Sequence, residues 1–247
     1  MLRRLCLSAI AIALPAVGFA ESAMDHKDGT QFTVRIENVS TPMTLKSMKG
    51  ETAPAPNSPG LWVVHTKPAR LFKADRAQMG WGLEAQAEDG NPSMLAEHCK
   101  SHEGVRSSGV FNTPVGDDMP GPALPGKTYL FTVTAKPGDR LSFVTMFGQS
   151  NDLFYAPAEA GIALFEKGHP VSGDITSRVL LWDAGTEINE EPGFGPNQAP
   201  RQAAPNTGPS ELKPVTLVSK LKDGLTYPKV TDVLKITITP AQTAGRY

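Results

Sequence analysis

Apolar and polar residues alternate with a period of two along much of this chain. In "QFTVRIENV", Gln31 to Val39, the apolar Phe32, Val34 and Ile36 interleave with Thr33, Arg35 and Glu37. Successive side chains of a strand point to opposite faces, so this pattern predicts a half-buried strand. "GLWVVHT" (Gly60 to Thr66) is a shorter apolar run. "KTYLFTVTA" and "DRLSFVTMF" flank Lys136-Pro137-Gly138, a turn signal that predicts a hairpin. "GIALFEKGHPVSGDIT", "SRVLLWD", "KPVTLVSK" and "DVLKITITP" supply further strands. Short strands at this spacing predict an all-β fold, an antiparallel β-sandwich.

One stretch follows a different rule. "GWGLEAQAEDGNPSMLAEHCKSHEG", Gly80 to Gly104, is rich in Ala, Leu and Glu, and Asn91-Pro92-Ser93 reads as a helix start before Met94. One or two short helices are expected here, in a segment crossing between sheets. "ETAPAPNSPG" and "PNQAPRQAAPNTGPS" read as extended, Pro-rich loops, the second long enough to be either mobile or pinned. The chain has no internal repeat.

Composition narrows the class. The 23 Gly and 22 Pro in 247 residues agree with many turns. A formal charge of -1 without a basic block argues against a nucleic-acid partner. The N-terminus begins with Arg3 and Arg4, continues in an apolar run from Leu5 to Val17 and closes on small residues before Glu21. That is the three-part pattern of a secretory signal peptide, residues 1–20, cut near Ala20. Pro15 and Gly18 interrupt the run, which is shorter than the roughly 20 apolar residues of a membrane span. The mature chain is therefore expected in the periplasm or the medium, without a transmembrane segment and as a monomer. Residues 21–30 read as a flexible leader and 31–247 as a single domain. Cleavage leaves Cys99 as the only cysteine, so no internal disulfide staples the fold.

The candidate chemistry lies in "LLWDAGTEINEEPGFGPNQAP", Leu180 to Pro200. Asp183, Glu187, Glu190 and Glu191 fall within nine residues with no Lys or Arg among them. Such a loop is solvated, or covered by basic partners, or built around a cation. Asp152 in "SNDLF" also ends an apolar strand, as Asp183 does. Calcium takes six to eight oxygens from carboxylates, carbonyls and water, and Asp152, Asp183 and Glu187 offer three carboxylates. The competing reading is that Asp152 and Asp183 cap turns while Glu190 and Glu191 face solvent.

From Phe32 to about Gln202 the chain resembles the spondin N-terminal domain family, the module of F-spondin and mindin. The stretches that carry the resemblance are "FTVRIENVS", "SPGLWVVH", "GLEAQAEDG", "GVFNTPVG", "SNDLFYAP" and above all "LLWDAGTE". It implies a C2-like sandwich with a calcium ion at its loop end. Position by position it implies Asp152, Asp183 and Glu187 as ligands, with the Phe154 backbone carbonyl as a further one, and no catalytic residue. Glu187 departs from the family's Asp by one methylene, and the disulfide of animal members is absent. Glu190 and Glu191 are then expected on the outer, solvated side.

Other constellations are weaker. His98-Cys99-x-x-His102 puts two imidazoles one helical turn apart, a candidate copper or zinc pair. Ser150 lacks the glycines of a nucleophile elbow. Trp62, Trp81 and Trp182 have apolar neighbours and read as core. The function expected is a secreted, non-enzymatic calcium-binding adhesion or recognition module for a glycan, lipid head group or protein. The alternatives are a carboxylate-dependent glycan hydrolase and a periplasmic copper- or zinc-binding protein.

Overall fold

In a computed structural model, the described residues are 29 to 241. The expected signal peptide and residues 21–28 of the expected leader lie outside them. Thr30, assigned above to the leader, already opens the first strand and pairs with Ala135.

Eight main strands run in chain order: β1 (Thr30–Asn38), β2 (Asn57–His65), β3 (Val105–Phe111), β4 (Thr128–Ala135), β5 (Arg140–Phe147), β6 (Leu153–Pro157), β7 (Val179–Asp183) and β8 (Leu234–Pro240). They form two antiparallel sheets. The smaller has the order β8-β1-β4, with Gly173–Asp174 as a short outer edge on β8. The larger has the order β7-β6-β5-β2-β3, with Thr216–Leu217 edging β7. The chain is an all-β sandwich.

The period-two pattern explains the core between the sheets. Phe32, Val34 and Ile36 of β1 and Ile236 and Ile238 of β8 are fully buried there, packed with Phe143 and Tyr155 of the larger sheet. The larger sheet has a second buried face. Leu61, Val63, Val144, Phe154 and Trp182 pack there against Leu83, Leu95 and Cys99. β5 is therefore covered on both sides, which is why "DRLSFVTMF" is nearly continuous in apolar residues where β1 alternates.

Two expectations on connectivity are corrected. β4 and β5 do not form a hairpin: β4 belongs to the smaller sheet and β5 to the larger. The turn between them is as tight as its residues suggest, with Asp139 N–H donating to the Lys136 carbonyl at 2.9 Å. Reversal of the chain does not oblige the strands to pair, and the doubly buried β5 finds its partners in β2 and β6. The helical segment does not cross between sheets either. Helices α1 (Leu83–Asp89) and α2 (Ser93–Lys100) leave β2 and return to β3, which pairs with β2 in the same sheet. They form a lid on that sheet's outer face. α1 ends at Gly90 with φ of 66°, a left-handed cap suited to glycine.

Cys99 is fully buried under that lid, and burial pushes its thiol up to about 12. The thiolate is the reactive form. Native protein at pH 7 should leave Cys99 unlabelled by a maleimide for hours and react within minutes in denaturant. Rapid labelling of the native fold would contradict this packing.

Candidate metal centre

Two strand ends make the centre of interest. β6 begins at Leu153, one residue after Asp152, and β7 ends at Asp183, which pairs with Leu153 across the ladder. Asp152 and Asp183 therefore sit at the same mouth of the larger sheet. The next residues, Ala184-Gly185-Thr186-Glu187, turn tightly. Gly185 has φ of 70°, and a Cβ there would come within 2.4 Å of the Lys213 carbonyl, so the turn requires glycine.

The turn wraps the Asp152 carboxylate. Its Oδ2 accepts from Thr186 N–H at 2.7 Å, Thr186 Oγ1 at 3.2 Å and Glu187 N–H at 3.1 Å. Its Oδ1 is buried and has no hydrogen-bond partner. An unpartnered buried oxygen is rare and costly. Burial first, and then the nearby charge of Asp183, push the Asp152 carboxyl up to about 8. Asp183 is also held above the usual carboxylate range, chiefly by burial. Its Oδ1 accepts Gly185 N–H and its Oδ2 accepts Asn189 Nδ2, each at 2.6 Å.

Glu187 is placed differently. It is buried, but its Oε2 accepts from Asn151 Nδ2 at 3.3 Å, and Gly208 approaches the carboxylate so closely that a Cβ there would lie 2.4 Å from Oε2. It faces a second acidic region. Glu88, on α1, is buried with one oxygen unpartnered, and burial pushes it up to about 7, with Glu187, Glu84 and Asp89 adding repulsion. Among the described residues, no three His, Cys, Asp or Glu side chains converge closely enough to hold a metal ion. Phe154 lies inside β6, opposite Trp182 on one flank and Met146 on the other, so its carbonyl belongs to the interior of the sheet. The strand-mouth carbonyl is that of Asp152, which accepts Ala184 N–H at 3.1 Å.

Glu190 and Glu191 are half-buried rather than solvated. Glu190 accepts Asn197 N–H at 3.0 Å and Asn197 Nδ2 at 2.6 Å; Glu191 accepts Met48 N–H at 2.6 Å. Glu191 ties the chain to the segment of Met48, and Glu190 braces the loop that follows. That loop is pinned: the Arg201 guanidinium donates to Gly195 O, Gln149 Oε1 and Gln198 Oε1, and Gln202 Nε2 reaches Asp89 at 2.8 Å. Each such bond is worth about 0.5 to 1.5 kcal/mol net. Arg201→Ala should therefore open the loop, raising the rate of proteolytic nicking between residues 196 and 209 by about tenfold. An unchanged rate would mean the guanidinium holds nothing.

The other candidates resolve into packing. His98 stacks on Trp81 (ring centroids 4.9 Å apart) and lies 6.0 Å from His102, while Cys99 points to the core, so the three do not converge. Ser150 Oγ donates to Phe147 O and accepts Leu153 N–H, which caps the turn before β6. A serine–histidine contact that the sequence did not suggest joins Ser142 Oγ and His65 Nε2 at 2.8 Å. Both residues are buried, and the cavity beside Ser142 holds about 10 Å³, room for one water.

No protein-family model matches the chain, and no curated protein matches it either. Among the described residues, no helix is long and apolar enough to cross a membrane.

Proposed function

We propose that this chain is an exported, calcium-stabilised recognition module of the kind the spondin resemblance implies. The observation that carries the reading is the Asp152 carboxylate: fully buried, beside Asp183, with Oδ1 unpartnered at the mouth of the sheet. Two carboxylates of like charge taken out of water suit a cation in a way they do not suit a plain turn cap. Asp152 and Asp183 would hold the ion, and Glu187, one turn away on the same loop, would complete the set by exchanging Asn151 for it. Bound calcium would supply positive charge at that mouth. The residues themselves order the loop: Thr186 and Glu187 N–H fix it to Asp152, and Arg201 fixes its continuation. An ordered loop at one end of a rigid sandwich is a usual place for a binding surface.

A glycan hydrolase needs a cleft that holds the sugar between two carboxylates. Asp152, Asp183 and Glu187 are all buried, and Asp152 and Asp183 accept from donors of residues 185 to 189, so no observation favours that reading. The recognition reading is tested by screening the purified protein against glycans and lipid vesicles in calcium and in chelator. It expects a ligand retained in calcium and released in chelator. Release of free sugar from a glycan, lost in Glu187→Gln, would replace it with the hydrolase.

A further inference from the structure

Trp81 was expected in the core with the other two tryptophans. Trp182 is buried, but Trp81 is only partly covered and lines a cavity of about 430 Å³, within the size range of small-molecule sites. The cavity has an apolar side and a charged side. Phe72, Met79 and Trp81 form the first, and the stack of Trp81 on His98 fixes the indole. Met79 is 55% exposed, which is much for a large apolar side chain beside an aromatic ring.

Arg70 and Lys73 line the same cavity. Among the described residues, neither side chain takes part in a hydrogen bond or salt bridge. Arg70 lies close enough to Glu103 to act on it electrostatically, but Glu103 is already paired with Lys67. The one carboxylate in the lining, Glu159, accepts Ala74 N–H at 2.8 Å. Arg70 also holds a positive φ of 51°, which non-glycine residues seldom adopt and which gathers at functional sites. This place is separate from the carboxylate mouth: Asp152 enters β6 and Glu159 follows its far end, roughly 15 to 20 Å along the strand.

We propose that this cavity binds a flat organic anion, an aromatic ring system bearing a sulfonate, carboxylate or phosphate group. The ring packs on Trp81, Phe72 and Met79, and the anionic group is taken by Arg70 and Lys73. Guanidinium is suited to this, because it donates in a planar fork and also stacks on rings.

The test uses 2-naphthalenesulfonate as probe and neutral 2-naphthol as its uncharged counterpart, both in chelator so that the outcome does not depend on the calcium reading. Binding is followed by calorimetry and by the Trp81 indole N–H resonance. The sulfonate should shift Trp81 and leave the buried Trp182 unmoved. It should bind at least about tenfold more tightly than the naphthol, and Arg70→Gln with Lys73→Gln should remove that advantage. Should the double variant melt below the parent protein, Lys73→Gln and Met79→Ala singly, both at exposed positions, carry the test. Equal affinity for the two probes, unchanged affinity in the variants, or no shift at Trp81 overturns the proposal.

Discussion

Chelator-treated protein should melt about 5 to 10 °C below the same protein in 10 mM calcium. Extracellular calcium modules bind with dissociation constants of roughly 10⁻⁴ to 10⁻³ M. At about 10⁻⁴ M, 10 mM calcium is about 100-fold above the constant and adds about 2.7 kcal/mol to a fold that alone binds it. For a chain of this size each kcal/mol moves the melting point by roughly 2 to 4 °C. Magnesium, which demands a smaller octahedral cage, should give much less. Asp152→Asn and Asp183→Asn should each abolish most of the gain. In chelator, Asp152→Asn should melt no lower than the parent protein, because the amide still accepts from Thr186 and Glu187 and cannot ionise in its buried place as the pH rises. Glu191→Gln keeps the acceptor that Met48 N–H uses and should leave the calcium gain intact. Equal melting points for parent and Asp152→Asn in 10 mM calcium would detach Asp152 from the effect.

Without calcium, the protein should lose stability as pH rises from about 4 to about 8. The sign follows from linkage. Asp152 is pushed up to about 8 and Glu88 to about 7, whereas in the unfolded chain both titrate near the usual carboxylate values. Between those limits the folded state binds more protons than the unfolded, so raising the pH favours unfolding. The stabilisation is fully present below about pH 4 and is lost through the folded values. A single pH unit of offset is about 1.4 kcal/mol, so a fall of several degrees between pH 5 and pH 8 is expected. Calcium must displace those protons, so its stabilising effect should grow over the same interval. Asp152→Asn should flatten the metal-free slope in part, leaving the shares of Glu88, Asp183 and Glu187, whose carboxyls burial also raises. Melting curves at pH 5, 6, 7 and 8, in chelator and in calcium, measure both. A metal-free protein that gained stability across this range would contradict the placement of these carboxyls.

The strands were legible because alternation is a local signal. Phe32, Val34 and Ile36 declare a buried face whatever they face. Membership of a sheet was not legible: Lys136-Pro137-Gly138 reverses the chain, but whether β4 and β5 then pair depends on what else lies beside β5. The helices were legible from Ala, Leu and Glu content and the Asn91-Pro92-Ser93 start. That they cover the outer face of the larger sheet depended on Val144 and Trp182, distant in sequence.

At the site, Asp152 and Asp183 stand out because an apolar run ends beside a turn at each; in the fold Asp183 does close β7, but β5 already ends at Phe147 and Asp152 instead leads into β6. The orientation of Glu187 does not stand out, since it is set by Asn151 and Gly208 on other segments. Glu88 was missed altogether, because a glutamate on a short helix reads as solvated until Thr186 and Glu187 fold against it. The half-burial of Glu190 and Glu191 is hidden for the same reason: their partners, the Asn197 backbone and side-chain amides and the Met48 backbone N–H, are uncharged donors that charge patterning does not reveal.

Whether calcium binds at Asp152 is decided by calorimetric titration of chelator-stripped, folded protein with the ion. The titration should show one ion per chain with a dissociation constant of about 10⁻⁴ to 10⁻³ M, tighter at pH 8 than at pH 6, and no binding in Asp152→Asn. Absence of calcium binding by metal-free protein, or binding unchanged in Asp152→Asn, would contradict the proposed site.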